Sequence, residues 1–217
     1  MRRVYFISGL GADWRAFSLL DLSFCEPVFV DWIEPLQAES LKDYAMRLRE
    51  QIHETHPAIV GVSFGGMLAT EMAKADPQIE AVIIASNKSA REFPPYLRIG
   101  KYFPIYKWIP DFLMKKASIF TWILGPKGKE QEQLLKSIIR DMNPRFLKWA
   151  ISAILDWKES DIPPNVRHIH GTRDRLLLCR YVKPDYEIKG GTHLVSMNMP
   201  EEVSKLLREL FREAQSI

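Results

Sequence analysis

Short runs of β-branched and other apolar residues alternate with stretches of helical periodicity along most of this 217-residue chain. Six runs have the composition of buried strands, at residues 3–7, 28–31, 58–62, 81–85, 166–170 and 186–188. Helical patterns lie between or after them, notably over residues 41–52, 64–75 and 201–214. This alternation predicts an α/β fold in which helices cover both faces of a parallel sheet, a three-layer αβα sandwich.

The interval between the fourth and fifth predicted strands is much longer than a crossover requires. It spans about 80 residues, whereas a simple parallel connection needs about a dozen. The interval is rich in aromatic residues and interrupted by prolines. We therefore expect one domain over residues 1–217, with three or four short helices over residues 88–158 that form a helical cap.

The same interval carries most of the positive charge of the chain. Residues 88–158 hold 14 Lys or Arg against 6 Asp or Glu, although the net charge of the whole chain is only +3. Such an excess is compatible with an anionic substrate or a membrane surface, but it is more often a solvated helix face. No nucleic-acid-binding motif accompanies it, so we expect no nucleic-acid partner.

Composition and cysteine usage exclude several other classes. The hydrophobic fraction of 47% and the charged fraction of 26% are those of an ordinary globular protein. Cys25 and Cys179 are far apart and form no Cys-x-x-Cys pair, which argues against a metal cluster or a disulfide framework and favours two buried thiols. The N-terminal apolar run is too short for a signal peptide, and no stretch approaches the roughly 20 apolar residues of a membrane span. We expect a cytoplasmic protein without metal or cofactor.

A candidate nucleophile lies in the hexapeptide GVSFGG at residues 61–66, directly between a predicted strand and a predicted helix. In such an elbow the central serine is held in a strained conformation at the strand end, and the flanking glycines avoid collisions with nearby backbone. The pattern predicts Ser63 as the nucleophile. A serine hydroxyl is weakly nucleophilic unless a base removes its proton, so a histidine is required elsewhere in the fold.

Five histidines are available as that base. His53 and His56 end a polar helical stretch and are predicted to lie on the surface. His168 and His170 alternate on one strand and are predicted to be packed or hydrogen-bonded residues of the core. His193 follows a glycine-rich turn after the last predicted strand, and we predict that it is the base; the alternative is an exposed loop histidine.

An acid must orient the base and stabilise its charged form. Asp174 follows the strand at residues 166–170, which places it at the carboxyl edge of the sheet together with Ser63 and His193. Asp161 precedes its strand and Asp185 leads into the last one, so both are expected at the opposite edge. Asp174 is therefore the predicted acid.

The loop after the first strand has the sequence SGLG at residues 8–11 and is predicted to form an oxyanion hole. Leu10 N–H and Phe64 N–H, the second at a helix N-terminus, are the predicted donors. A glycine-rich turn after a strand could also hold a phosphate. This one, however, lacks the third spaced glycine of a dinucleotide loop and the Gly-Lys pair of a P-loop.

The order of these motifs resembles the α/β-hydrolase fold enzymes over nearly the whole chain. A glycine-rich loop, a Gly-x-Ser-x-Gly serine, a Gly-x-x-Asp acid and a histidine follow one another as they do in that family. The resemblance implies six parallel strands in the spatial order 2-1-3-4-5-6, because the chain begins at what would be the third strand of the family. It also implies that the insertion is the family's cap domain.

Two features depart from the pattern of the family. Ser8 stands where a histidine often precedes the glycine of the loop. About ten residues separate Asp174 from Tyr186, close to the minimum for a parallel crossover, so the helix expected there is shortened or absent.

These features predict a serine hydrolase that cleaves a carboxylic ester or thioester through an acyl-enzyme. The aromatic cap favours a small, mainly apolar acyl or aryl substrate, with Trp108 and Trp122 as predicted binding residues. Two alternatives remain: a ligand receptor or binding protein with slow or no turnover, and an acyltransferase or carbon–carbon bond hydrolase that uses the same triad. A serine nucleophile rather than an aspartate argues against dehalogenase and epoxide hydrolase chemistry.

Overall fold

A computed structural model of the chain describes residues 1–114, 124–126 and 128–213. Six strands form one sheet: β1 (Arg3–Ile7), β2 (Glu26–Phe29), β3 (Ala58–Val62), β4 (Glu80–Ile84), β5 (Val166–Gly171) and β6 (Tyr186–Ile188). Their order across the sheet is β2-β1-β3-β4-β5-β6, and every neighbouring pair is parallel. The predicted fold class and strand order are confirmed.

Helices follow or separate the strands. Those described are α1 (Leu41–Arg49), α2 (Phe64–Ala75), α3 (Pro95–Gly100), α4 (Asp111–Met114), α5 (Lys129–Asp141), α6 (Pro144–Asp156), α7 (Val195–Asn198) and α8 (Pro200–Glu213). Shorter 3₁₀ helices occupy Trp14–Phe17, Ala90–Glu92, Ile105–Trp108 and Cys179–Tyr181. The last of these is the only helical turn between β5 and β6, as expected for so short a crossover. None of the helices in the described ranges is long and apolar enough to cross a membrane.

Alternate side chains of each strand enter two separate cores, because successive residues of a strand point to opposite faces of the sheet. Tyr5 and Ile7 of β1 face a core to which α1, α2 and α6 contribute. Val4 and Phe6 face a second core, closed by the 3₁₀ helix at Trp14–Phe17 and by α7 and α8. Both faces of the sheet are thus covered, which explains why the central strands β1, β3 and β4 are almost entirely apolar.

Several element boundaries differ from the prediction. β2 begins two residues earlier than expected because Pro27, which lacks an N–H, is tolerated in an edge strand. α1 ends at Arg49 rather than at residue 52. The N–H groups of residues 50–52 bond carbonyls three residues back instead of four, which is the pattern of a 3₁₀ turn and not of an α-helix. β4 ends before Ala85, which has a φ of 47°. Cys179 is only half-buried, so the prediction of two buried thiols is wrong for this residue.

Helices α3 to α6 lie between β4 and β5, in the interval predicted to form a cap. Among the described helices of this insertion, α6 packs into the core beside α1, and it also contacts α3 and α4. Lys148 of α6 forms an ion pair of 2.7 Å with Asp111 of α4. The short helices of the insertion are thereby attached to α6 more than to the sheet.

Candidate active site

Ser63 lies between the end of β3 and the start of α2. Its φ of 51° and ψ of −115° place it in a conformation that residues other than glycine rarely adopt. The N–H of Ser63 donates to Ile84 O at 2.9 Å, and its carbonyl accepts from the Ser86 hydroxyl at 2.7 Å. The strained backbone is therefore held on both sides by neighbouring strand-end residues.

The flanking glycines are required by close backbone contacts. A Cβ on Gly61 would lie 2.4 Å from Gly65 O, and one on Gly65 would lie 2.3 Å from Ile7 O and Ser8 O. A side chain on Gly65 would force the turn away from β1, and one on Gly61 would force the start of α2 away from β3. The glycine pattern recognised in the sequence thus corresponds to a physical constraint on how closely the elbow packs.

The loops after β5 and β6 lie against each other. Arg173 N–H donates to Gly191 O at 2.8 Å, and a Cβ on Gly171 would lie 2.4 Å from that same carbonyl oxygen. Asp174 is 2% exposed and His193 is 5% exposed. The close contact between these two loops is what brings the side chains of Asp174 and His193 together.

Ser63, His193 and Asp174 form a continuous line of hydrogen bonds. His193 Nε2 lies 2.9 Å from Ser63 Oγ, and His193 Nδ1 lies 2.8 Å from Asp174 Oδ2. Asp174 Oδ1 accepts from the N–H groups of Leu176 and Leu177, each at 2.8 Å. One carboxylate oxygen is thus fixed by backbone, which leaves the other directed at the imidazole.

The surroundings of Asp174 favour its ionised form. Burial alone would raise the pKa of this carboxyl group. The charge interaction and hydrogen bond with His193, followed by His170 and the Leu177 N–H, outweigh burial and lower the pKa of Asp174 below its ordinary value. An ionised carboxylate can only accept, so Nδ1 of His193 carries a hydrogen and Nε2 is free to accept from the Ser63 hydroxyl.

The loop after β1 lies beside the serine. A Cβ on Gly9 would be 3.5 Å from Ser63 Cβ. The Ser8 hydroxyl and the Trp32 indole N–H both donate to Ala12 O, at 2.8 and 2.6 Å, and hold the loop in shape. Ser8 therefore has a structural role at the position where the family often has histidine.

The two N–H groups predicted to form the oxyanion hole belong to elements on either side of the serine. Leu10 lies in the loop after β1, and Phe64 is the first residue of α2. Within the described part of the chain, neither N–H donates a hydrogen bond. Both donors are available to an additional acceptor next to Ser63.

The insertion contacts the site from two sides. Met142, which follows α5, packs on the loop after β1 so closely that a Cβ on Gly11 would lie 2.4 Å from Met142 Cγ. On the other side, Thr192 donates its hydroxyl to Gly125 O at 3.0 Å. Apolar side chains line the space between, since Leu10 and Leu194 pack against an apolar cluster of the insertion (Met114, Leu135, Ile139, Met142 and Leu147).

The structure separates the remaining candidate residues from this line of hydrogen bonds. Trp108 ends a 3₁₀ helix and is 86% exposed, with no described contact to Ser63 or His193. Trp122 lies outside the described residues. His53, His56 and Asp161 are exposed, and Asp185 precedes β6 at the opposite edge of the sheet, where it accepts from His168 N–H.

Two residues near the site were not recognised from the sequence as neighbours of the triad. His170 Nε2 lies 3.4 Å from Asp174 Oδ2, and Met142 covers the loop after β1. The position of His170, one residue before the Gly-x-x-Asp motif, was a usable indication that it lies near Asp174. Nothing in the local pattern around Met142 indicates the second, because the contact joins distant parts of the chain.

Comparisons with known proteins agree with this architecture. A family model described as the alpha/beta hydrolase family matches residues 4–206. A search of curated proteins for relatives of this sequence finds no match. Among solved structures, a thermophilic esterase from Thermogutta terrifontis is similar at 16% identity, with 98% of this chain and 90% of that chain covered and a TM-score of 0.74.

Two further structures are similar to the same extent. A hydrolase from Pseudomonas aeruginosa has 12% identity, coverage of 97% of this chain and 89% of its own, and a TM-score of 0.75. An N-acyl homoserine lactonase has 14% identity, coverage of 100% and 90%, and a TM-score of 0.68. At such identities the structural likeness concerns the fold, whereas the family match extends over most of the sequence. The chain therefore belongs to the α/β hydrolase family.

Proposed function

We propose that this protein is a serine hydrolase that cleaves a carboxylic ester or thioester through an acyl-enzyme. The observation that carries the proposal is the hydrogen-bonded line from Ser63 Oγ through His193 to Asp174, with separations of 2.9 and 2.8 Å. A nucleophile, a base and an orienting acid in this geometry are the parts that acyl transfer requires.

In the first half of the reaction, Ser63 Oγ attacks the carbonyl carbon of the substrate while His193 Nε2 accepts the hydroxyl proton. The carbonyl π electrons move to oxygen, and the resulting oxyanion accepts hydrogen bonds from Leu10 N–H and Phe64 N–H. The tetrahedral intermediate then collapses. The alcohol or thiol leaves with the proton that His193 returns, and Ser63 keeps the acyl group.

In the second half, water takes the place of the alcohol. His193 Nε2 removes a proton from water as its oxygen attacks the acyl carbon, and the same two N–H groups hold the new oxyanion. Collapse breaks the bond to Ser63 Oγ, which recovers its proton from His193. A carboxylic acid is released, and Asp174 remains ionised throughout while it stabilises the positive charge on the imidazole.

The residues around Ser63 support an apolar acyl or aryl group. Leu10 lies in the loop beside Ser63 and Leu194 follows His193, and both pack against an apolar cluster of the insertion that includes Met142. We assign residues 88–158 to a cap that excludes water from the acyl group. Substrate binding by Trp108 stays a prediction, which requires the cap to bring this exposed indole to the substrate.

The test uses a fluorophosphonate probe and p-nitrophenyl esters of increasing acyl length. The wild-type protein is expected to become labelled at Ser63 and to hydrolyse the esters, and Ser63→Ala is expected to lose both activities. Ser18→Ala, which removes an exposed serine hydroxyl elsewhere, is the matched control and retains both. Thermal stabilisation by ligands without labelling or turnover would contradict the proposal in favour of a receptor. Transfer of the acyl group to an added alcohol in preference to water would identify a transferase.

A further inference from the structure

Two imidazoles lie side by side behind the proposed acid, and the mechanism above does not use them. His168 and His170 of β5 are both 0% exposed. His168 Nε2 lies 3.1 Å from His170 Nδ1, and His170 Nε2 lies 2.7 Å from Leu177 O. The same Nε2 atom is 3.4 Å from Asp174 Oδ2, the oxygen that accepts from His193.

The hydrogen-bond partners determine the tautomer of both rings. A carbonyl oxygen can only accept, so His170 Nε2 must carry a hydrogen. In neutral His170 the other ring nitrogen, Nδ1, is then an acceptor, and His168 Nε2 must be the donor to it. This leaves His168 Nδ1 as a bare acceptor, and among the described residues it indeed has no hydrogen-bond partner.

Burial keeps both rings neutral. Loss of solvent lowers the pKa of His168 well below its ordinary value, with His170 and Lys88 acting in the same direction. Burial also lowers the pKa of His170; Asp174 and Glu187 oppose this effect and His193 adds to it. A neutral pair with one hydrogen on each ring is the arrangement that the hydrogen bonds require.

We propose that His170 is a positioning residue for Asp174 and that His168 fixes the tautomer in which His170 acts. The Nε2–H of His170 bonds Leu177 O at 2.7 Å, and Asp174 Oδ2 lies 3.4 Å from the same nitrogen. Leu177 in turn donates its own N–H to Asp174 Oδ1. His170 therefore closes a ring of contacts that prevents the carboxylate from rotating away from His193.

This inference rests on the proposed function, because a positioning residue matters only if His193 and Ser63 react. If the carboxylate can rotate, fewer molecules hold His193 in the geometry that accepts the proton, while substrate binding is unaffected. Misplacement of a reacting group by about 1 Å can cost about 100-fold in rate. We expect loss of the His170 donor to lower kcat about 10- to 100-fold and to leave KM within about twofold.

The experiment compares His170→Leu with His170→Gln. Leucine fills the space without a donor, whereas glutamine offers both an amide N–H and a carbonyl oxygen in place of the two ring nitrogens. Ester hydrolysis gives kcat and KM separately, and proton NMR follows the downfield resonance of the His193 Nδ1–H that bonds Asp174. We expect His170→Leu to lower kcat and to weaken or shift this resonance, and His170→Gln to restore most of both.

The proposal is overturned if folded His170→Leu keeps the wild-type kcat and NMR resonance, or if glutamine rescues neither. Should His170→Leu fail to fold, His168→Leu and His168→Gln provide the same comparison one residue further from Asp174, with an expected kcat loss of about 2- to 10-fold for leucine only. Equal kcat values for these two variants would also overturn it. Failure of the proposed function is distinguishable, because the wild-type protein would then show no labelling or turnover while the NMR resonance still reports the Asp174–His193 contact.

Discussion

The loops after the strands are joined to one another by backbone contacts, whereas the insertion between β4 and β5 is joined to the rest mainly by side chains. Ser63 N–H bonds Ile84 O, and Arg173 N–H bonds Gly191 O. By contrast, α5 is attached through Arg15, whose guanidinium bonds Asp141 at 2.9 Å and the Ser137 hydroxyl at 3.0 Å.

This difference suits the two regions to different tasks, the positioning of reacting groups and the covering of the site. Backbone contacts do not depend on side-chain rotamers, so we expect the strand-end loops to hold the proposed reacting groups in fixed positions. Side-chain contacts can break and re-form while the sheet stays folded, which is what the proposed cap requires in order to admit substrate. We therefore expect substitutions in the strand-end loops to abolish chemistry or folding, and substitutions in the insertion to change substrate binding.

The largest expected effect is at Asp174. Asp174→Asn keeps the size of the side chain but can donate to His193 Nδ1 and so select the wrong tautomer of the imidazole. We expect kcat/KM for p-nitrophenyl esters to fall about 10⁴-fold. Asp161→Asn is the matched control, since Asp161 is exposed at the opposite edge of the sheet, and it should retain wild-type activity. A loss of less than tenfold in Asp174→Asn would show that the strand-end loops do not perform the chemistry.

Glycine substitutions test whether the strand-end loops and the insertion also differ in how much a substitution changes the stability of the fold. In Gly65→Ala the new Cβ would lie 2.3 Å from two backbone oxygens of the segment that ends β1, and we expect the free energy of unfolding to fall by about 3 kcal/mol or more. In Gly100→Ala the nearest atom is Leu155 Cδ2 at 3.5 Å, an ordinary contact within the insertion. Here alanine should stabilise the protein by about 0.5 kcal/mol, because glycine is the poorer helix former. Urea denaturation measures both free energies of unfolding. Equal changes in the two variants would show that the strand-end loops and the insertion do not differ in this respect.

The same contrast explains how much could be predicted from the sequence. The alternation of strands and helices and the positions of Ser63, Asp174 and His193 at one edge of the sheet follow from local patterns, because a strand, a tight turn and a helix start are determined by a few neighbouring residues. The strand order was implied instead by the resemblance of these motifs to the α/β-hydrolase fold. The contact of His170 with Asp174 was not predicted: its place one residue before the Gly-x-x-Asp motif indicated proximity, but strand alternation indicates only burial and not how the loop after β5 folds back. The exposure of Trp108 and the contact of Met142 with Gly11 depend on packing between distant segments, for which one sequence offers no pattern.

A pH titration of stability probes the buried histidines of the strand-end region. His168 and His170 have lowered pKa values when folded because they are buried. As the pH falls below the ordinary histidine value of about 6.5, the unfolded chain takes up protons that the folded protein excludes, so stability decreases by up to about 1.4 kcal/mol per pH unit for each group. The lowered pKa of Asp174 contributes a stabilisation that is fully present above the ordinary aspartate pKa, and this stabilisation is lost only as the pH falls from there through the folded value.

His168→Gln removes one of the two titrating rings and keeps a donor for His170. We expect the fall in stability between pH 7 and pH 5, measured by urea unfolding, to become shallower by up to about 1.4 kcal/mol per pH unit. Ser18→Ala, which removes an exposed hydroxyl and no titrating group, serves as the control and should leave the slope unchanged. An unaltered slope in His168→Gln would mean that this ring takes up a proton in the folded protein.

The smallest effect on stability is expected at Trp108 in the insertion. Because 86% of this residue is exposed, Trp108→Ala should change the free energy of unfolding by no more than about 0.5 kcal/mol. Its effect on catalysis tests whether the insertion brings the Trp108 indole to the substrate. If the cap brings the indole to the substrate, KM for long-chain esters rises several-fold while kcat and the rate for short esters stay constant. If KM is unchanged for every acyl length, Trp108 does not bind substrate, and the apolar contact is left to Leu10, Met142 and Leu194, which belong to one apolar cluster.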